Sequence, residues 1–183
     1  MMSYFRSDIL KYKKYSNKSV ILLLVTQQGL WALLIYRINN SIYRFNSPQI
    51  LKRILLIIGS LFQKLIEIIT GISLPYTAQI GKSTYIGHFG NIIINPKAVI
   101  GNNCNISQGV TIGISGRGKR RGVPIIGNNV YIGVNAVIAG DITIGDNVVI
   151  AANSLVVRSV PPNVTVMGVP AIKASDNNSQ DYI

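Results

Sequence analysis

Apolar residues recur at every sixth position through the second half of this chain. Ile126, Ile132, Ile138, Ile144 and Ile150 keep one phase, and Val156 extends it. An earlier run with its own phase holds Ile94, Ile100, Ile106 and Ile112, preceded by Ile80 and Ile86. Small or β-branched residues stand four places after most of them, among them Thr84, Ala98, Cys104, Val110, Val130, Ala136, Val148 and Ser154. Glycine often follows directly, as in Ile100-Gly101 and Ile144-Gly145. Such a period fits neither an α-helix nor a hairpin sheet. It fits a parallel β-helix in which each hexapeptide makes one short strand and a turn, with three faces per coil. The aliphatic residue fills the prism, the small one packs beside it, and glycine allows a tight corner.

The prism is expected to begin near Tyr76, within a domain spanning residues 71–174, and its repeats to run to about Val160. It is interrupted once, between Ile112 and Ile126. The polar, glycine-rich stretch there predicts a projecting loop over 113–125, and long loops in compact domains often carry function. Val160 to Ile172 closes the core, and residues 175–183 read as a flexible tail. Residues 1–70 lack the rhythm and read as helical. Val20–Ile38 is apolar but broken at Thr26-Gln27-Gln28-Gly29, and Ile50–Ile72 mixes Leu and Ile with Lys52, Arg53, Gln63, Lys64 and Glu67. Neither is a clean membrane span. Two readings fit: amphipathic helices packed on each other or on a neighbouring subunit, or a basic, apolar pair lying on the inner membrane face.

Charge sharpens this picture. The net charge is +12, and residues 1–70 hold ten Lys and Arg against only Asp8 and Glu67. Anionic partners are expected, but no nucleic-acid module is present. The single cysteine, Cys104, excludes an intrachain disulfide and sits in a small inward slot, so it reads as core filler in a cytoplasmic protein. No secretory leader is apparent in Met1–Asn17.

His88 is the only histidine. It follows the inward Ile86 by two places, so its side chain should leave the prism near a corner. Imidazole near neutral pH is suited to taking a proton from a hydroxyl, and backbone N–H groups along the coils could hold an oxyanion. These are the requirements of acyl transfer from a thioester to an alcohol. A zinc-type hydratase would need three histidines, which one chain does not have, so no metal site is expected.

Three stretches carry a resemblance: Tyr85–Pro96, Ser107–Gly113, and Val160-Pro-Pro with Gly168-Val-Pro-Ala171. From Gly71 through Ile172 the chain resembles the left-handed β-helix (hexapeptide-repeat) acetyltransferases, near the serine O-acetyltransferase branch. The resemblance implies a mainly β fold, a left-handed parallel β-helix with an N-terminal α-helical segment. It also implies a homotrimer with sites between subunits, in some members paired into a dimer of trimers. His88 falls on the family's catalytic histidine. Acetyl-CoA is implied as acyl donor, held by Gly113, Ser115, Gly116 and the loop residues Arg117 and Lys119, with Arg158 and Lys173 as further phosphate contacts.

The chain also departs from that branch. Ser73 stands where an aspartate is usual, Gly87 replaces the aspartate before the histidine, and Gly122-Val123 replace an Arg-His pair. Free serine is thereby disfavoured and a sugar hydroxyl favoured. The leading expectation is O-acetylation of a sugar or polysaccharide precursor in capsule or exopolysaccharide synthesis, with Ser73, Asn91 and Asn95 near the substrate. The alternatives are a serine O-acetyltransferase of cysteine biosynthesis and a non-catalytic trimeric scaffold.

Overall fold

The computed structural model of the protein describes residues 2–118 and 121–183. Four α-helices come first among them: α1 (Met2–Lys14), α2 (Val20–Thr26), α3 (Gln28–Arg44) and α4 (Gln49–Thr70). Short strands then wind through three sheets. The first contains β1 (Ile72–Ser73), β4 (Ile92–Ile94), β7 (Thr111–Gly113), β10 (Val137–Ala139) and β13 (Leu155–Val156). The second stacks β2 (Gln79–Ile80), β5 (Val99–Ile100), β8 (Ile125–Ile126) and β11 (Thr143–Ile144). The third stacks β3 (Tyr85–Ile86), β6 (Asn105–Ile106), β9 (Tyr131–Ile132), β12 (Val149–Ile150) and β14 (Thr165–Gly168), and is closed by antiparallel β15 (Ala171–Ser175).

The hexapeptide phase therefore becomes a three-faced parallel β-helix. Ile126 pairs with Ile144, Ile132 with Ile150 and Ile138 with Val156, a coil of eighteen residues. The periodic isoleucines are buried, and so are Ala98, Cys104, Val110, Val130 and Ala136 between them. One corner column consists of asparagines in the left-handed region, Asn103, Asn129, Asn147 and Asn163. Their amides hydrogen-bond up the stack at 2.8, 2.9 and 2.8 Å. Asparagine tolerates this conformation better than other side chains bearing a Cβ. Cys104 is buried as core filler, and burial pushes its thiol up to about 11.

A β-helix must cover the open edge of its first coil, where strand N–H and C=O groups would otherwise lack partners. Here side chains of the helices supply them. Tyr12 Oη accepts from Ile86 N–H at 3.0 Å and donates to Ile86 C=O at 2.7 Å. Tyr36 Oη accepts from Ile80 N–H at 3.0 Å and donates to the Ala78 carbonyl at 2.9 Å. Arg37 donates to the carbonyls of Ile80 and Gly81, both at 2.6 Å, and pairs with Asp8 at 3.0 Å. Asp8 in turn accepts from Thr84 N–H at 2.9 Å. Burial pushes the Asp8 carboxyl above its ordinary range, against the opposing pull of Arg37. The helical segment thus serves as an end cap built of polar side chains, a role that hydropathy alone does not reveal.

Two expectations change. Residues 1–70 form four helices rather than two, because Met2–Lys14 is itself helical and the Thr26–Gly29 interruption separates α2 from α3. No single described helix is long and apolar enough to cross a membrane. The tail is not frayed: Ser179 is buried and its hydroxyl donates to the Asn129 carbonyl, while Asn105 Nδ2 donates to the Tyr182 carbonyl at 2.7 Å. The Tyr182 ring also lies 4.7 Å from that of Tyr131. These contacts hold residues 179–182 as a short 3-10 turn against the third sheet.

Candidate active site

The register shows why His88 stands out. Ile86 pairs with Ile106, and Ile94 pairs with Ile112. The chain takes eight residues from Ile86 to Ile94 but only six from Ile106 to Ile112. A corner made elsewhere by Ser107-Gln108-Gly109 is made here by Gly87-His88-Phe89-Gly90-Asn91, two residues longer. The extra length bulges outward. Gly90 takes a positive φ of 105°, and an added Cβ there would meet nothing within 4 Å. The bulge is tied at its base, where Gly90 N–H donates to Thr70 C=O at 2.9 Å and Gly109 N–H donates to Gly90 C=O at 3.0 Å. His88 and Phe89 are exposed at its tip. Among the described residues the imidazole has no hydrogen-bond partner within the protomer. An exposed, unengaged histidine on an anchored bulge is available to a substrate proton.

The substrate-facing expectations divide. Asn91, at the end of the bulge, is exposed with φ 50°, close to His88 in the chain. Ser73 lies on the outward face of β1, in register with Ile93 of β4. Asn95 is at the far end of β4, and its side chain accepts from Lys97 N–H at 2.9 Å, closing a local turn. The structure does not bring Asn95 to His88.

The residues expected at the donor site cluster at the other edge of the first sheet. Gly113 ends β7 in register with Ala139. Beyond it the two described ends of the insertion pair as the base of an arm: Ser115 and Gly122 exchange hydrogen bonds at 3.0 and 3.2 Å. Ser115, Gly116 and Arg117 line a cleft of about 360 Å³ with Gly140, Asp141 and Val157. Arg158 is exposed on the same corner column, directly after Val157. Lys119 lies outside the described residues. Lys173, on β15 in the third sheet, is paired with Asp176 at 2.5 Å and stands apart from the cluster within one protomer. A larger hollow, of about 510 Å³ between α3 and the second sheet, borders neither corner.

Asp141 is a cleft residue that sequence reasoning missed. A Cβ placed on Gly122 would come within 2.5 Å of the Asp141 Cβ, so the glycine is required by this neighbour. The signal that could have marked the site was a phase slip. Ile86 to Ile94 breaks the period by two, and the inserted pair flanks the only histidine.

Within one protomer His88 and the arm occupy opposite edges of the same sheet. The outward ladder between them is apolar at Ile93, Val137 and Leu155. A β-helix of stacked hexapeptides with a histidine bulge at one edge and a glycine-rich arm at the other defines a hexapeptide-repeat transferase. The family model for bacterial transferase hexapeptide (six repeats) matches residues 124–158. A serine acetyltransferase of Staphylococcus epidermidis is 36% identical over 153 residues, 84% of this chain and 68% of its own length. One from Synechococcus elongatus is 34% identical over 147 residues, 80% of this chain and 57% of its own length. This chain therefore spans little more than half of that relative. A solved Brucella abortus serine acetyltransferase in complex with coenzyme A is 28% identical, with a TM-score of 0.81 over 97% of this chain and 68% of its own. The chain belongs to the hexapeptide-repeat transferase family, among relatives named serine acetyltransferase.

Proposed function

We propose that this chain is an acetyl-CoA-dependent O-acetyltransferase with His88 as general base, its site completed between copies in a homotrimer. The two-residue bulge that projects His88, without a hydrogen-bond partner among the described residues, from an otherwise regular coil carries this reading. The separation of His88 from the arm supports assembly, because a groove between two prisms would set one copy's histidine against another's arm.

In the reaction, His88 accepts the proton of the acceptor hydroxyl as its oxygen attacks the thioester carbonyl carbon. The resulting oxyanion is held by backbone N–H groups of the corner stacks. The carbon–sulfur bond then breaks, the acetyl ester remains on the acceptor, and the imidazolium returns its proton to the thiolate. Arg117 and Arg158 are placed to meet donor phosphates, with guanidinium geometry suited to them.

Two acceptors compete. The relatives' name favours serine, which is the better supported. The charge around His88 favours a neutral sugar hydroxyl. Residues 87–91 contain no acidic side chain, Asp8, Glu67, Asp146 and Asp176 are engaged with Arg37, Lys64, Asn128 and Lys173, and Asp181 sits in the 3-10 turn against the third sheet. An ammonium group has no carboxylate to meet on that corner, although Asp141 could reach it from a neighbouring arm. Acetyl-CoA consumption by the purified protein with L-serine and a panel of sugars and nucleotide sugars separates the two. Turnover with serine alone removes the sugar reading, turnover with a sugar alone removes serine, and turnover with neither removes the proposal.

A further inference from the structure

Helix α4 is amphipathic in the wrong sense for a helix that only closes this protomer. A surface helix normally turns its apolar stripe to the core. The face that α4 turns inward is instead a mixed one, with Gly59, Gln63 and Thr70 beside the half-buried Leu56 and Ile66. Asn39 Nδ2 donates to the Gly59 carbonyl at 2.9 Å and contacts Gln63 Oε1 at 3.3 Å. A Cβ on Gly59 would collide with the Asn39 side chain, which would have to give up its place against α4. Only Thr70 of the helix is buried.

Eleven large apolar side chains of α4 are exposed. Ile50, Ile57, Leu61 and Ile68 are 65 to 77% exposed. At 3.6 residues per turn the eleven fill an arc of about 160° with no charge inside it. Arg53 and Lys64, both exposed, fall along one border of that arc. The lone acid of the helix, Glu67, lies on the packed side and is paired with Lys64 at 3.2 Å.

We propose that this face of α4 docks on an anionic lipid surface. Three observations favour lipid over a second copy. The apolar arc is wider than the seam that one packed helix covers. An apolar face bordered by Arg53 and by the Lys64–Glu67 pair, within a strongly basic segment, is the pattern of a helix lying in the interface plane. The surrounding segment is strongly basic, with Asp8 already neutralised by Arg37. The helix is about 33 Å long at 1.5 Å per residue, and its last turn is hydrogen-bonded to the His88 bulge through Thr70 and Gly90. Docking would therefore hold that corner beside the surface, where a hydroxyl on a lipid-carried substrate is presented. The docking itself does not rest on the acetyl-transfer reading.

The test is co-sedimentation of the full chain with vesicles of phosphatidylcholine, with and without phosphatidylglycerol, for wild type and Ile57→Glu/Leu61→Glu. Both positions are exposed, so folding is retained and is checked by circular dichroism. The expected result is binding to the anionic vesicles that falls about tenfold or more in the variant and weakens with salt. Sedimentation velocity without lipid is run alongside. Absence of vesicle binding, or binding indifferent to the double substitution, overturns the proposal. A drop in oligomer mass in the variant with no vesicle binding by wild type assigns the face to contact between copies and also overturns it.

Discussion

Replacing Tyr12 with phenylalanine probes the end cap and its connection to the site. The ring stays, with its packing against Tyr85 at 4.6 Å, but the hydroxyl that serves both backbone groups of Ile86 is lost. Each buried polar group left without a partner costs about 1–3 kcal/mol. Water is not a ready substitute. Gly29 packs so closely on Tyr12 Oη and the Ile86 carbonyl that even a Cβ would not fit there. Two orphaned groups, one a carbonyl that tolerates undersatisfaction better, give an expected loss of about 2–4 kcal/mol. Urea unfolding of wild type and Tyr12→Phe at one protein concentration reads this as a lowered midpoint with an unchanged slope. Tyr36→Phe, which strips the same two-way bond from Ile80 and Ala78, is the control and should lose a similar amount. Acetyl transfer then separates them. Ile86 leads directly into the His88 bulge, so Tyr12→Phe lowers kcat while Tyr36→Phe spares it. A loss below about 0.5 kcal/mol for both would refute the idea that these hydroxyls are the partners of the open strand edge.

Lys11 supplies a pH test. It is buried, its Nζ has no partner among the described residues, and desolvation lowers it from 10.5 to about 8. The unfolded chain therefore binds more protons than the folded one between those values, and stability should rise as pH climbs from about 8 to about 10.5. The full gain is about 3 kcal/mol; Lys11→Met should be more stable than wild type at pH 7 and flatten this rise, checked by unfolding at several pH values. Gly101→Ala should destabilise by about 1–3 kcal/mol in the same assay, because the new Cβ meets the Gly127 peptide of the next coil. Ser73→Asp should raise turnover if a carboxylate on the outward face of β1 stabilises the imidazolium; reduced kcat would count against that role.

The prism was legible because its period is a direct consequence of the fold. One inward position per strand and three strands per coil leave their spacing in the isoleucines. The arm was legible as a break in that spacing, and its residues Ser115, Gly116 and Arg117 do share a cleft. The bulge was equally visible as the slip between Ile86 and Ile94, yet a single histidine carried the whole reading of that region. What composition could not show is pairing at a distance. The use of Tyr12, Tyr36 and Arg37 as partners for strand edges depends on side chains meeting backbone more than forty residues away. Asn95 looked available, but its Oδ1 closes a local turn beyond the end of β4. Lys173 looked suited to phosphate but lies on a different sheet from the arm. The outward apolar face of α4 also reads as a core face in sequence, because hydropathy does not say which side of a helix its neighbours occupy.

The proposed division of labour, with His88 performing the chemistry and other residues holding the donor, predicts that binding and catalysis separate cleanly. The direct measurement pairs acetyl-CoA binding by calorimetry with transfer to the acceptor that wild type uses, for wild type and His88→Ala. The expected result is donor affinity within a few-fold of wild type and a loss of kcat of about 10²–10⁴. A His88→Ala protein that transfers acetyl at the wild-type rate would contradict the account.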